Sequence, residues 1–224
     1  MASRDQIENE LTEKVSKLLS LEIEKTGSAS LLVSGGSTPK NLFLKLSQAE
    51  ILWDKVQISL VDERYLPDGD PNQNGTIVKE LLLQNKAKTA EFFPFVLADT
   101  VEENAALLRM TTDSIKQPFT VVILGVGNDG HTASIFPDSK ELDKALDPKN
   151  KEKIMITHSE SLPYTRFTFT AIALLNSKQI FIHGYGNEKK SILQSAADQE
   201  TALPYPIAYF INQENTPVEI YWAK

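Results

Sequence analysis

Short apolar runs alternate with amphipathic stretches along the whole chain. Residues 5–25 carry isoleucine, leucine and valine at helical spacing with charges between them, which predicts a helix that packs one face on a core and ends at Gly27. Strands are predicted at 29–33, 56–61, 91–98, 121–124, 154–157, 167–173, 180–183 and 218–222. Helices are predicted after Pro39, at 76–85, at 101–116 and through Ile192, and loops around 62–75 and around Pro204 and Pro206. This alternation predicts an α/β fold with a mostly parallel sheet flanked by helices.

Size and composition narrow the class of protein. The 224 residues, 41% of them hydrophobic, suffice for a sizeable core, and because no repeat or linker interrupts them, residues 1–224 are expected to form one domain. The formal net charge of −7 argues against nucleic acid or an anionic membrane as the main partner. The chain has no cysteine, which excludes disulfides and thiolate metal sites. The first residues are too charged for a signal peptide and no apolar run is long enough to span a bilayer, so we expect a cytoplasmic protein.

The stretch 120–137 reads TVVILGVGNDGHTASIFP and carries the first candidate chemistry. Its β-branched apolar run predicts a strand buried on both faces, and three glycines follow within six residues. Glycine lets the backbone approach a ligand, and Asp129 and His131 stand at the end of this loop. Open α/β sheets place their chemistry at the carboxyl ends of strands. A tight turn with a surface histidine is the alternative.

Two further loops follow predicted strands. Residues 34–40 read SGGSTPK, and backbone N–H groups with hydroxyls at the start of a helix can hold a phosphate. A simple capped turn is the alternative, and the spacing is not that of a Walker A motif. Residues 62–67 read DERYLP, three charges directly after a buried strand, with a solvated loop and an internal ion pair as the alternative.

Together these three motifs, SGGSTPK, DERYLP and GVGNDGHTASIFP, closely resemble those of the 6-phosphogluconolactonases, in the same order. Arg166 before FTFT and Lys189 in GNEK are weaker matches. The SGGSTP motif is shared with the wider superfamily of sugar-phosphate isomerases, whereas the histidine motif is specific. Two departures are Gln73, where the family usually has serine, and the ending EIYWAK. The ending leaves open whether a last helix is present.

The resemblance implies a modified Rossmann-like α/β sandwich that needs no cofactor or metal. It implies hydrolysis of 6-phospho-D-glucono-1,5-lactone to 6-phosphogluconate, the second step of the oxidative pentose phosphate pathway. The expected partner is therefore a small sugar-phosphate lactone, with no nucleic acid and no membrane, and the oligomeric state is left open.

The same motifs assign roles to particular side chains. His131 is expected to be the general base, kept neutral by a following helix N-terminus, with Asp129 either orienting it or making an Asx turn. Arg64 is expected to stabilise charge on the lactone carbonyl or to position the substrate, with Asp62 or Glu63 holding it. The residues expected to bind substrate and its phosphate are Gly35, Gly36, Ser37, Thr38, Asp62, Glu63, Arg166 and Lys189.

Three other functions compete with this interpretation. A glucosamine-6-phosphate isomerase or deaminase would show an acidic FNEP segment where this chain has Ser134 to Pro137. A non-catalytic sugar-phosphate sensor would need a DNA-binding module, for which no region is left over. The glycines at 125, 127 and 130 match G-x-G-x-x-G, but the acidic residue that a dinucleotide needs about twenty residues later falls in a charged segment predicted to be a surface helix or loop.

Overall fold

Two β-sheets organise the computed structural model, which describes residues 2–198 and 205–224. In that part of the chain the strands are β1 (Ala29–Val33), β2 (Val56–Leu60), β3 (Asp62–Arg64), β4 (Glu91–Phe93), β5 (Val121–Leu124), β6 (Ile154–Thr157), β7 (Arg166–Phe169), β8 (Ile180–Tyr185) and β9 (Val218–Ala223). A six-stranded sheet has the order β4-β2-β1-β5-β8-β9, and a three-stranded sheet has the order β3-β7-β6.

Every strand pair of the larger sheet is parallel. Its two middle strands, β1 and β5, are buried along their whole length, as continuous apolar sequences predict. The chain leaves β1 toward β2 on one side, while β5 lies on the other. The crevice outside the carboxyl ends of β1 and β5 is therefore the place where open α/β sheets bind ligands. The predicted α/β class with a mostly parallel sheet is confirmed.

Helices cover this sheet. They are α1 (Arg4–Thr26), α2 (Lys40–Gln48), α3 (Asn74–Ile77), α4 (Val101–Asp113), α5 (Leu142–Leu146), α6 (Ala171–Leu175), α7 (Asn187–Ala197) and α8 (Pro206–Ile211), with short 3₁₀ or π segments at Trp53–Lys55, Val78–Leu82 and Asn85–Thr89. The first helix begins at a capping box between Ser3 and Gln6 and ends at Gly27, whose φ of 86° suits a residue without a Cβ. No helix in the described ranges is long and apolar enough to cross a membrane.

The smaller sheet corrects two predictions. Both strand pairs in this sheet are antiparallel. Residues 62–64, predicted as part of a loop, form its edge strand β3. The strand predicted at 167–173 is wrong at its end, because β7 stops at Phe169 and the side chain of Thr170 caps α6 by accepting from the N–H of Ala173.

Two further local predictions are wrong. Turns rather than a helix follow His131, because Ala133 adopts a φ of 49°, in the left-handed region that interrupts a helix; the next helix begins at Leu142. Pro206 starts α8 instead of lying in a loop, which suits a residue that has no N–H to leave unpaired. Pro204 lies outside the described residues. The ending EIYWAK contributes the edge strand β9.

Ser134, in the segment after β5, fastens the two sheets together. Its hydroxyl donates to the Asp62 carboxylate in β3, and its N–H donates to Oγ1 of Thr168 in β7 at 3.2 Å. Its carbonyl accepts from Oγ1 of Thr157 in β6 at 2.7 Å. One buried residue of the larger sheet's loop thus contacts all three strands of the smaller sheet, and this fixes where β3 and β7 stand relative to β5.

Candidate active site

One cavity of about 240 Å³ lies where the two sheets meet. The carboxyl ends of β1, β5 and β8 form one side of it, and β3 and β7 contribute side chains from the other. Of the residues expected at the site, those that line this cavity are Gly35, Gly36, Ser37, Thr38, Asp62, Arg64, His131, Arg166 and Lys189. Residues up to 155 positions apart are brought together here.

His131 and Asp129 form a hydrogen-bonded pair beside the cavity. Nδ1 of His131 lies 2.5 Å from Oδ1 of Asp129, and the same oxygen accepts the backbone N–H of His131 at 3.2 Å. Both contacts considered for Asp129, with the ring and with the turn, are therefore present. Burial raises the pKa of Asp129, but the hydrogen bonds and the charge of His131 lower it more, so this pKa lies below its ordinary value. With Nδ1–H donated to the carboxylate, the neutral ring carries its lone pair on Nε2.

Gly127 is required for this geometry. A Cβ at this position would lie 2.2 Å from the His131 ring and 2.6 Å from Oδ1 of Asp129. The N–H of Gly127 also donates to the carbonyl of His131 at 2.9 Å, which closes the loop. The histidine ring packs against Phe136 with a centroid distance of 4.8 Å. The glycine and the phenylalanine together fix the ring position.

The loop after β1 lines the cavity with backbone and hydroxyl groups. Gly36 adopts a φ of 91°, and Gly35 lies so close to Asn74 that a Cβ would come 2.1 Å from its Oδ1. Thr38 accepts a hydrogen bond from the Lys189 ammonium at 3.4 Å. Burial lowers the pKa of Lys189. Loop, hydroxyl and lysine thus form a polar wall with a positive charge.

Arg64 and Arg166 pair across β3 and β7. The Nε atom of each is buried and has no hydrogen-bond partner among the residues that the structure describes. Burial and the nearby charge of Arg64 lower the pKa of Arg166. Two adjacent guanidinium groups with unused buried donors make a site for an anion.

Asp62 and Glu63 have different positions, because successive residues of a strand face opposite sides. Asp62 lines the cavity, where Ser134 donates to it. Glu63 is buried on the other side and accepts the backbone N–H groups of Arg64, Asn74 and Gly75 at 2.6, 2.8 and 2.7 Å. Burial raises the pKa of Glu63 to about 7, although these three donors oppose the shift.

Neither carboxylate holds the Arg64 side chain. Its guanidinium donates to the backbone carbonyl of Asn72 instead. Glu63 holds the same segment two residues further on, by accepting the backbone N–H of Asn74. The expectation that Asp62 or Glu63 would bind this guanidinium is therefore wrong, and the structure places Glu63 away from the cavity lining. Glu63 instead holds the backbone at Arg64, Asn74 and Gly75.

Two residues that line the cavity were not among the predicted site residues. Asn74 lines the cavity, and its Nδ2 donates to the backbone carbonyl of Asp62 at 3.0 Å. His183 lines the cavity from the second half of β8, with 2% of its surface exposed. The available signal for His183 was a titratable residue at the carboxyl end of a predicted strand, the same signal that drew attention to residues 62–64.

Comparison with known proteins agrees with these motifs. Residues 2–222 match the family model of glucosamine-6-phosphate isomerases/6-phosphogluconolactonase. The chain is 38% identical over 214 residues to a 6-phosphogluconolactonase of Rhizobium meliloti, covering 95% of this chain and 92% of that protein. It is 38% identical over 221 residues to a 6-phosphogluconolactonase of Mesorhizobium japonicum, covering 98% of this chain and 92% of the relative.

A solved structure agrees as well. The crystal structure of a 6-phosphogluconolactonase from Shewanella baltica superposes with a TM-score of 0.95 at 36% identity, covering 100% of this chain and 96% of that one. The predicted Rossmann-like α/β fold and the predicted enzyme class, 6-phosphogluconolactonase, are confirmed by these likenesses. The chain belongs to the family of glucosamine-6-phosphate isomerases and 6-phosphogluconolactonases.

Proposed function

We propose that this protein hydrolyses 6-phospho-D-glucono-1,5-lactone to 6-phosphogluconate, with His131 activating the water. The observation that carries the proposal is the content of one cavity: a histidine oriented by a carboxylate, two arginines whose Nε atoms have no partner among the described residues, and a glycine–hydroxyl loop beside a lysine. A phosphorylated lactone needs each of these parts. Its ester carbon needs activated water, its carbonyl oxygen needs a cation, and its phosphate needs an anchor.

In the proposed reaction, Nε2 of His131 takes a proton from water as the water oxygen bonds to the lactone carbonyl carbon. The tetrahedral intermediate then expels the ring oxygen, and the imidazolium returns the proton to that oxygen. The carboxylic acid formed ionises in water. Asp129 keeps Nδ1 protonated throughout and stabilises the imidazolium. Atoms balance without a covalent enzyme intermediate, a metal or a redox partner.

The cations divide between the two charged ends of the substrate. Arg64 is assigned to the carbonyl oxygen, where negative charge develops. The phosphate is assigned to the 35–38 loop together with Arg166 and Lys189, with Asp62 limiting the space beside them. The Lys189–Thr38 contact supports this assignment, because it joins the lysine to the loop.

The experiment must separate hydrolysis from the isomerase chemistry of the same family. Purified protein without added metal or nucleotide is expected to accelerate acid release from freshly made lactone above the spontaneous rate, followed by pH-stat. It should release no ammonia from glucosamine 6-phosphate. His131→Ala serves as the matched control for contaminating activity. Ammonia release without any acceleration of lactone opening would overturn the proposal. The pathway step and a cytoplasmic location stay predictions that follow from this activity.

A further inference from the structure

His183 is a second histidine of the cavity, and the proposed mechanism does not use it. It lies one residue after Ile182, which pairs with Leu124, so it stands beside Gly125 where the His131 loop begins. Its Nδ1 is buried and has no hydrogen-bond partner in the described ranges of the chain. Since an unpaired buried nitrogen costs free energy, a ligand in this cavity is stabilised if one of its groups pairs with Nδ1.

Hydrogen bonds beneath the ring fix which nitrogen carries the proton. Nε2 of His183 lies 3.1 Å from the hydroxyl of Tyr185, and this hydroxyl donates its single proton to the carboxylate of Glu8. Asn41 donates to the other Glu8 oxygen, so both oxygens act as acceptors. The tyrosine oxygen must therefore accept from Nε2–H. In the neutral ring this leaves a lone pair on Nδ1.

The ring is neutral at physiological pH. Burial, together with the positive charge of Lys189, lowers the pKa of His183 to about 4. Nδ1 is thus an acceptor, and the ligand atom that pairs with it must be a donor. The oxygens of a fully ionised phosphate monoester have no proton to give, and the same is true of the ester carbonyl. On a sugar-phosphate lactone the only proton donors are the ring hydroxyl groups.

We propose that Nδ1 of His183 accepts a hydrogen bond from a hydroxyl group of the substrate, and that His183 thereby selects polyhydroxylated phosphate esters over plain alkyl phosphates. Tyr185 and Glu8 are positioning residues in this assignment, because they hold the tautomer that presents the acceptor. The inference rests on the proposed function for the identity of the ligand. The contact itself requires only that the ligand carry a hydroxyl donor.

Two substitutions of similar size test the acceptor. His183→Asn can place its amide oxygen near the position of Nδ1, whereas His183→Gln retains a group near Nε2 and loses the acceptor. We expect His183→Gln to raise KM for the lactone about three- to tenfold, the loss of one neutral hydrogen bond, with a smaller fall in kcat. His183→Asn should raise KM less than His183→Gln does. The KM of Tyr185→Phe should lie between those of wild type and His183→Gln, because the His183 ring can adopt the other tautomer once the tyrosine hydroxyl is removed.

A binding measurement makes the test independent of turnover. Calorimetry compares 6-phosphogluconate with ethyl phosphate, which carries the phosphate but no hydroxyl. We expect His183→Gln to weaken binding of 6-phosphogluconate three- to tenfold and to leave the affinity for ethyl phosphate within twofold. Equal weakening of both ligands, or no weakening of either in a variant that melts at the wild-type temperature, overturns the assignment.

The two proposals can fail separately. A wild type that hydrolyses the lactone while His183→Gln shows an unchanged KM overturns the role of His183 and leaves the function standing. A wild type without lactonase activity overturns the function, and the ratio of the two affinities then decides the hydroxyl contact on its own.

Discussion

Arg64 and Arg166 face each other directly across two antiparallel strands, β3 and β7. Like charges at directly opposed positions destabilise a sheet, and each guanidinium has a buried Nε without a partner in the described residues. The ligand-free protein therefore holds an unfavourable pair that an anion makes favourable. The arginine pair should therefore strengthen binding of an anion while it lowers the stability of the ligand-free protein.

This opposition can be measured with Arg166→Met. The substitution removes a buried guanidinium whose pKa is lowered by burial and by the charge of Arg64, and replacing a buried charged group by an apolar side chain is often neutral or stabilising. We expect an unchanged or higher melting temperature without ligand, together with a rise in KM of about tenfold or more. Lys189→Met removes a cation of the same cavity that is not part of the arginine pair, so it should raise KM as well but without raising the melting temperature. A lower melting temperature with an unchanged KM would contradict the role of the pair.

His131→Ala is expected to lower kcat on the order of a hundredfold or more, because the general base is lost. Asp129→Asn should give a smaller loss. An asparagine oxygen can still accept the backbone N–H of His131, but the amide does not stabilise the imidazolium as a carboxylate does. Steady-state kinetics measures both effects, and circular dichroism checks the fold. Near-wild-type turnover in His131→Ala would remove this residue from the mechanism.

Two glycines of the same loop form a matched pair. Gly127→Ala places a methyl group 2.2 Å from the His131 ring, so the ring must move and kcat should fall on the order of a hundredfold. A methyl group at Gly125 would meet Ser34 at 3.8 Å, an ordinary contact, so Gly125→Ala should cause a much smaller fall. Equal kinetic effects of the two substitutions would show that the close approach to His131 is not what matters.

Glu63 should leave a signature in the pH dependence of stability. Its pKa is raised by burial to about 7 in the folded protein, so between its ordinary pKa and pH 7 the folded state holds more protons than the unfolded state. Its contribution to the free energy of unfolding therefore falls as the pH rises through this window.

Glu63→Gln removes that dependence. It also replaces one acceptor oxygen by an N–H₂ group, which leaves a backbone donor unpaired and should cost about 1–3 kcal/mol at pH 5. The difference in melting temperature between wild type and variant should shrink from pH 5 to pH 7.5. A difference that stays constant or grows with pH would mean that Glu63 is ionised throughout the window.

The larger sheet could be predicted because its signals are local. The apolar runs at β1 and β5 were found with correct boundaries, and the glycine–hydroxyl and His131 loops follow directly from them. The strand β3 could not be found in this way. Its three residues are all charged, and what makes them a strand is pairing with β7, about a hundred residues later.

The errors at the site have the same origin. Had β3 been recognised, the alternation of its side chains would have placed Asp62 and Arg64 in the cavity and Glu63 behind it. His183 was missed because its importance depends on Tyr185 and Glu8, and the latter is contributed by α1 at the other end of the sequence. The role of each site residue stays a prediction for the experiments above, and the expectation that residues 1–224 form one domain stays a prediction as well.

The fastening of the two sheets by Ser134 predicts an order in which the parts of the site form as the chain folds. The histidine pair forms within a few residues of β5, but the arginine pair exists only after β7 has docked on β3 and on the loop that holds Ser134. Contacts so distant in sequence form late, because closing a long loop costs entropy before it brings contacts. A refolding chain should therefore regain its helices before it binds an anion, and hydrolysis should return only with the last of these long-range contacts.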